Sequence, residues 1–187
     1  MDAGERAREV AAKLLQTSLP RRWAHVQGVV ARAQKVTFLP GVEAQLLVDA
    51  ATLHDIGYAP EISTTGFHPL DGARYVAALG APVRVVNLIA HHSCATFEAG
   101  LRALSAELAE FEDEGPTALR DALWWADMTT DPDGGVITVV DRVAEIQDRY
   151  GPDDLVSCFI RLAWPELEAA VRRTEERLAA VGIDYEK

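Results

Sequence analysis

The 187-residue sequence is poor in cysteine, poor in histidine, and without a surplus of positive charge. Each shortage removes a class of protein. Two cysteines, Cys94 and Cys158, cannot make a disulfide framework, and reduced thiols in a cytosolic protein are the expectation. No stretch approaches 18 uninterrupted apolar residues, so no membrane span or membrane partner is expected. The stretch from Met1 to Arg8 is charged and has no apolar h-region, which excludes a visible secretory signal and leaves a cytoplasmic location as the expectation. Eighteen basic against 29 acidic residues give a net charge of -11. That balance argues against a nucleic-acid partner, whose phosphates are usually met by a basic face. A small phosphorylated substrate stays open, because bound cations can reverse a local field.

What is present is apolar spacing of helical period. Nearly half of the residues are hydrophobic, enough for a sizeable core, and the chain is too long to need a metal as a folding staple. A metal found here is therefore expected to serve function. The periodicity predicts helices over about 4–17, 20–37, 42–54, 68–79, 82–92, 101–113, 116–130, 137–149 and 153–181, the last interrupted near Trp164-Pro165. Pro40-Gly41, Gly57, Gly80, the run Asp131-Pro132-Asp133-Gly134-Gly135 and Gly151-Pro152 punctuate them. Only residues 136–140 have strand character, too few for a sheet. The expectation is an all-α helical bundle, a single domain over 1–187. Its core lies at about 20–145, with C-terminal helices 153–181 packed on it.

Two aspartates stand where apolar residues belong. Asp55 shares a helix face with Val48 and Ala51, and its neighbour His54 shares one with Leu47, Ala50 and Ala51. Asp127 follows Leu123 and Trp124 by one turn. A carboxylate among such residues is costly unless it is paired or bound to a cation. Taken singly, each candidate has a bland reading. Asp127 suits a helix cap or an arginine partner, His25 an ordinary hydrogen-bonded histidine, His68 a helix start beside Pro69, and His91-His92 a helix C-terminus.

Taken together, His25, His54-Asp55 in Leu-His-Asp-Ile-Gly-Tyr, and Asp127 in Trp-Ala-Asp-Met-Thr resemble the HD-domain superfamily of metal-dependent phosphohydrolases over roughly residues 20–145. His68 in His-Pro-Leu-Asp-Gly-Ala-Arg-Tyr and His92 in Leu-Ile-Ala-His-His-Ser extend the likeness to the subset with a second metal. That subset includes bacterial enzymes that split diadenosine tetraphosphate symmetrically and two-metal phosphodiesterases of cyclic dinucleotides.

The resemblance implies a first ion held by His25, His54, Asp55 and Asp127. It implies a second held by His68 and His92, with Asp55 as bridge and His54 and Asp55 at the chemistry. His92 has the more apolar face, with Leu88 and Val85 behind it. His91 is kept as a further candidate ligand or a substrate-facing neighbour. One or two divalent transition ions (Fe, Mn, Co, Ni or Zn) suit this nitrogen and oxygen set. Such ions activate a water for attack on phosphorus in a small phosphate ester or anhydride, a nucleotide-type substrate being favoured. Arg22, Arg84 and Arg142 are candidates to orient the phosphate, against a solvated surface role as the default for each. Tyr58 stands where many members of the family have a lysine. Cys94 is expected as a small buried hydrophobe and Trp124-Trp125 as core rather than as a base-stacking platform. Two other functions are consistent with the same ligands: an HD-type di-iron oxygenase, and a non-catalytic metal-binding regulatory module.

Overall fold

The computed structural model describes residues 3–183. Its helices are α1 (Ala3–Leu15), α2 (Pro20–Gln34), α3 (Ala44–Leu53), α4 (His68–Ala78), α5 (Val83–Ala90), α6 (Ala95–Leu101), α7 (Ser105–Leu108), α8 (Ala118–Met128), α9 (Val139–Tyr150) and α10 (Leu155–Ala180). Short 3-10 turns occur at Ile56–Tyr58 and His92–Cys94. Among the described residues there is no strand. Residues 136–140 contribute only the isolated bridge of Val136 to Thr130 before α9 begins. The all-α expectation is met.

Local chemistry sets the helix ends. Pro20 opens α2, where its missing N–H is no loss. Thr117, Thr138 and Asp154 cap α8, α9 and α10, each accepting a backbone N–H from the first turn. α8 is the central element, buried from Leu119 to Met128. It packs against α2, α3 and α10, while α1 covers α3, and α4 lies on α5 and the 56–58 turn. Trp125 is fully buried with the Arg32 guanidinium 4.1 Å from its ring centroid, and Trp124 is 3% exposed. Both tryptophans are core.

Two sequence expectations are corrected. The helix expected over 101–113 is replaced by α6, a break at Ala103 (φ 57°), the single turn α7 and irregular chain up to Thr117. The interruption expected near Trp164-Pro165 is absent, and α10 runs through Pro165. Pro165 faces solvent, so water can serve the carbonyl it leaves without a donor. Burial of Ala163, Leu167, Ala170, Val171, Thr174 and Leu178 along the same helix outweighs the lost bond. Among the described residues no helix is long and apolar enough to cross a membrane.

Candidate metal centre

α3 ends at Leu53, and His54 and Asp55 turn out of it into the buried interior at 0% and 3% exposure. The turn that follows brings α4 against them. An added Cβ on Gly57 would lie 2.0 Å from the His68 carbonyl oxygen, so only glycine lets the start of α4 approach this closely. The loop ahead of His68 is tied by buried Asp71, which accepts the Thr64, Thr65 and Gly66 backbone N–H groups and both threonine hydroxyls. From the other side, Ser93 and Cys94 both take left-handed backbone (φ 46° and 62°) just after His92. For residues with a side chain that conformation costs about 1–3 kcal/mol. The bend lets the Ser93 hydroxyl donate to Asp127 Oδ2.

Six side chains converge. His25, His54 and Asp127 present ligand atoms within 4.8 Å of one another, and so do Asp55, His68 and His92. Asp55 faces both groups. Its Oδ2 lies 3.4 Å from His54 Nε2 and 3.7 Å from His25 Nε2, and its Oδ1 lies 3.4 Å from His68 Nε2 and 3.9 Å from His92 Nε2. Asp127 Oδ1 is 3.1 Å from His25 Nε2 and 3.8 Å from His54 Nε2.

The tautomers follow from the backbone. His25, His54 and His92 each place Nδ1 on a carbonyl, those of Asp131 (2.9 Å), Ala51 (2.8 Å) and Ile89 (2.6 Å). A carbonyl only accepts, so each Nδ1 carries a proton and each ring turns its Nε2 to the centre, the nitrogen that would bind a metal. His54 Nε2 is buried, makes no hydrogen bond, and has carboxylate oxygens as neighbours. Lone pair facing carboxylate in a dry interior is repulsive unless a proton or cation lies between.

The charges say the same. Burial opposes protonation of His54, yet Asp55 and Asp127 outweigh it and push the imidazole up to about 9. Burial works against the Asp55 and Asp127 carboxylates too. Arg22 and His54 nonetheless hold Asp55 well below the usual range, and His25 and His54 do so for Asp127. Burial, with the neighbouring His92 and Arg22, keeps His68 well below its ordinary value, and burial and His54 lower His92. Two ionised carboxylates facing inward-turned imidazole nitrogens are a donor set for a divalent transition metal, which would take the place of the proton on His54, and the residues present fit one.

His91 does not join them. Its Nε2 lies 2.9 Å from the Phe111 carbonyl and its Nδ1 3.4 Å from the Thr96 hydroxyl, which makes it a tie to the irregular segment before α8. The arginines divide. Arg84 is a surface tie to Glu43 and Glu114 and does not line the cavity. The surface reading fails for Arg22, which donates to Asp55 Oδ2 at 2.7 Å, and for Arg142, which is 5% exposed. Tyr58 stacks on His68 (centroids 4.0 Å, 17°), and the Arg22 guanidinium lies 4.1 Å above the Tyr58 ring. The position that lacks the family's lysine thus carries an aromatic support for an arginine. Cys94 is buried and inert, its thiol pushed up mainly by burial.

A cavity of about 180 Å³ opens over the cluster, with Asp55, His68, His92 and Asp127 on one side. Its lining also includes Arg142, Ile146, Arg149 and Tyr150 of α9 and Phe159 and Ile160 of α10. Ser93, Arg149 and the α10 wall had no signal in the sequence.

A family model for the HD domain matches residues 22–150, and the chain belongs to the HD-domain family. That membership, with the two His/Asp groups, indicates metal-dependent function of the hydrolase type. No curated protein and no solved structure matches the chain significantly.

Proposed function

We propose that this protein is a metal-dependent phosphohydrolase that cleaves a small phosphate ester or anhydride, of nucleotide type in the first instance, by attack of water on phosphorus. The observation that carries the reading is the buried His54 Nε2, without a hydrogen bond and facing Asp55 and Asp127, beside a carboxylate that looks to both ligand groups. His25, His54, Asp55 and Asp127 would hold one ion, and His68 and His92 a second with Asp55 shared. When bound, such ions would supply a water of lowered pKa and positive charge toward the phosphoryl oxygens.

The chain's own groups do the rest. Arg22 fixes the Asp55 carboxylate through its 2.7 Å bond and lines the cavity, where a guanidinium can also pair with phosphoryl oxygens. Ser93 holds the far oxygen of Asp127, leaving Oδ1 toward the histidines. The backbone carbonyls behind His25, His54 and His92 keep those rings in the ligating tautomer. Ile146, Phe159 and Ile160 add apolar surface to the cavity lining.

The test is elemental analysis of the purified protein, then phosphate release from a panel of nucleotides, dinucleoside polyphosphates, cyclic dinucleotides and simple monoesters. Asp55→Ala is expected to abolish metal loading and turnover with the helical circular-dichroism signal retained. A variant with full activity would sink the assignment. Oxygen consumption with an organophosphonate or polyol in place of phosphate release would move the protein to the oxygenase branch.

A further inference from the structure

Two arginines on the cavity touch none of the metal-ligand side chains in an ion pair or hydrogen bond. Arg142 and Arg149 lie about two turns apart on α9 and both line the cavity. They share a single carboxylate, since Arg142 Nη1 and Arg149 Nε both bond Glu145. Two guanidinium groups on one glutamate leave an excess of positive charge, in a chain whose overall charge is -11. Arg142 is 5% exposed, and its Nε is buried without a hydrogen bond. A guanidinium held this far from water favours an anion nearby, and Glu145 alone serves both arginines. The same cavity is also lined by carbon from Met128, Ile146, Val156, Phe159 and Ile160. The cavity's volume of about 180 Å³ is below the range of roughly 300–1,000 Å³ common for drug-sized ligands.

We infer that the substrate is a compact phosphate monoester bearing a second anionic group, with Arg142 and Arg149 of α9 as the subsite for that second anion. The inference rests on the phosphohydrolase reading for the first anion and replaces the nucleotide-type substrate with a smaller, doubly anionic class. A guanidinium matches a carboxylate or phosphate in two parallel hydrogen bonds, and the α9 pair offers that match while the apolar wall carries a short carbon linker. Glu98, the one acid lining the cavity besides Asp55 and Asp127 of the metal cluster, is bonded to Arg102 and is not available to offset the α9 charge.

The experiment uses the full chain loaded with Mn²⁺ and two matched series of probes. Phosphoglycolate, 3-phosphonooxypropanoate and 4-phosphonooxybutanoate are compared with ethyl, propyl and butyl phosphate. Dissociation constants come from calorimetry and KM from phosphate release. At least one phosphorylated acid is expected to bind ten times more tightly than its alkyl partner. That preference is expected to fall at least fivefold in Arg142→Gln and in Arg149→Gln and to persist in Arg172→Gln, which alters an exposed pair with Glu176. Arg149 is 30% exposed, so its variant carries the test if Arg142→Gln fails to fold. Equal binding within every pair, or a preference that survives both α9 substitutions, overturns the subsite. Preferential binding without turnover refutes the hydrolase reading and leaves the subsite standing. Turnover without preference does the reverse, and binding of no probe refutes both.

Discussion

Asp121→Asn tests how α10 is held over the site. Asp121 lies on α8, is fully buried, and accepts bonds from Arg173 at 2.8 Å through each oxygen, from Arg177 at 3.1 Å and from Arg120 at 3.4 Å. Breaking a buried ion pair by removing one partner costs about 3–5 kcal/mol. Arg173 and Arg177 keep 26% and 31% of their side chains exposed, and Arg120 retains Glu166, so water and that second acid recover part of the loss. The lower end, about 3 kcal/mol, is the expectation. For a chain of this length each kcal/mol moves Tm by about 2–4 °C, which gives a fall of roughly 6–12 °C by calorimetry at pH 7.

The pH dependence has a definite sign. Burial opposes the Asp121 charge, but the arginines hold the folded carboxyl below its ordinary value. Its contribution is therefore full above the unfolded carboxylate pKa of about 3.9 and is lost as pH falls toward the lower folded value. The gap between wild type and variant should be constant from pH 7 to pH 5 and should narrow below about pH 4. A Tm difference under 2 °C at pH 7, or a gap that widens in acid, would refute this account of the clamp.

Three further outcomes are expected. Gly57→Ala forces a methyl onto the His68 carbonyl, backbone against backbone, and should lower stability by about 1–3 kcal/mol and weaken metal binding, read by thermal melting with and without Mn²⁺. Ser93→Ala removes the donor to Asp127 and should raise the metal dissociation constant by about 10–100-fold, measured by competition with a chromogenic chelator. Stripping metal from protein held at 100 times its dissociation constant should remove about 2.7 kcal/mol, a Tm fall of roughly 5–11 °C that metal readdition restores.

The helical architecture was legible because most helices bury one face, as in α2 and α10, and the apolar period records it. The candidate ligands were legible for the opposite reason, since Asp55 and Asp127 interrupt that period with charge. Legibility failed where tertiary context overrides local preference. Ser93 and Cys94 take left-handed backbone without being glycine, so nothing in their identity marks the bend that ends at α6. Pro165 normally stops a helix, but packing along α10 carries the helix past it. The α9 arginines on the cavity were hidden because their place depends on α9 joining the 55–58, 68–69 and 92–98 segments around one cavity, a juxtaposition of segments distant in sequence. Arg142 looked like a surface residue, and only the fold shows it buried over the cluster.

The central claim is that the converging His and Asp side chains hold catalytic metal, with Asp55 common to both groups. Metal content per chain after reconstitution with Mn²⁺ and gel filtration, measured by mass spectrometry on wild type and Asp55→Ala, tests it most directly. The account predicts up to two ions per chain in the wild type and near-complete loss in the variant. A wild type that retains no transition metal, or a variant that retains as much as the wild type, would contradict it.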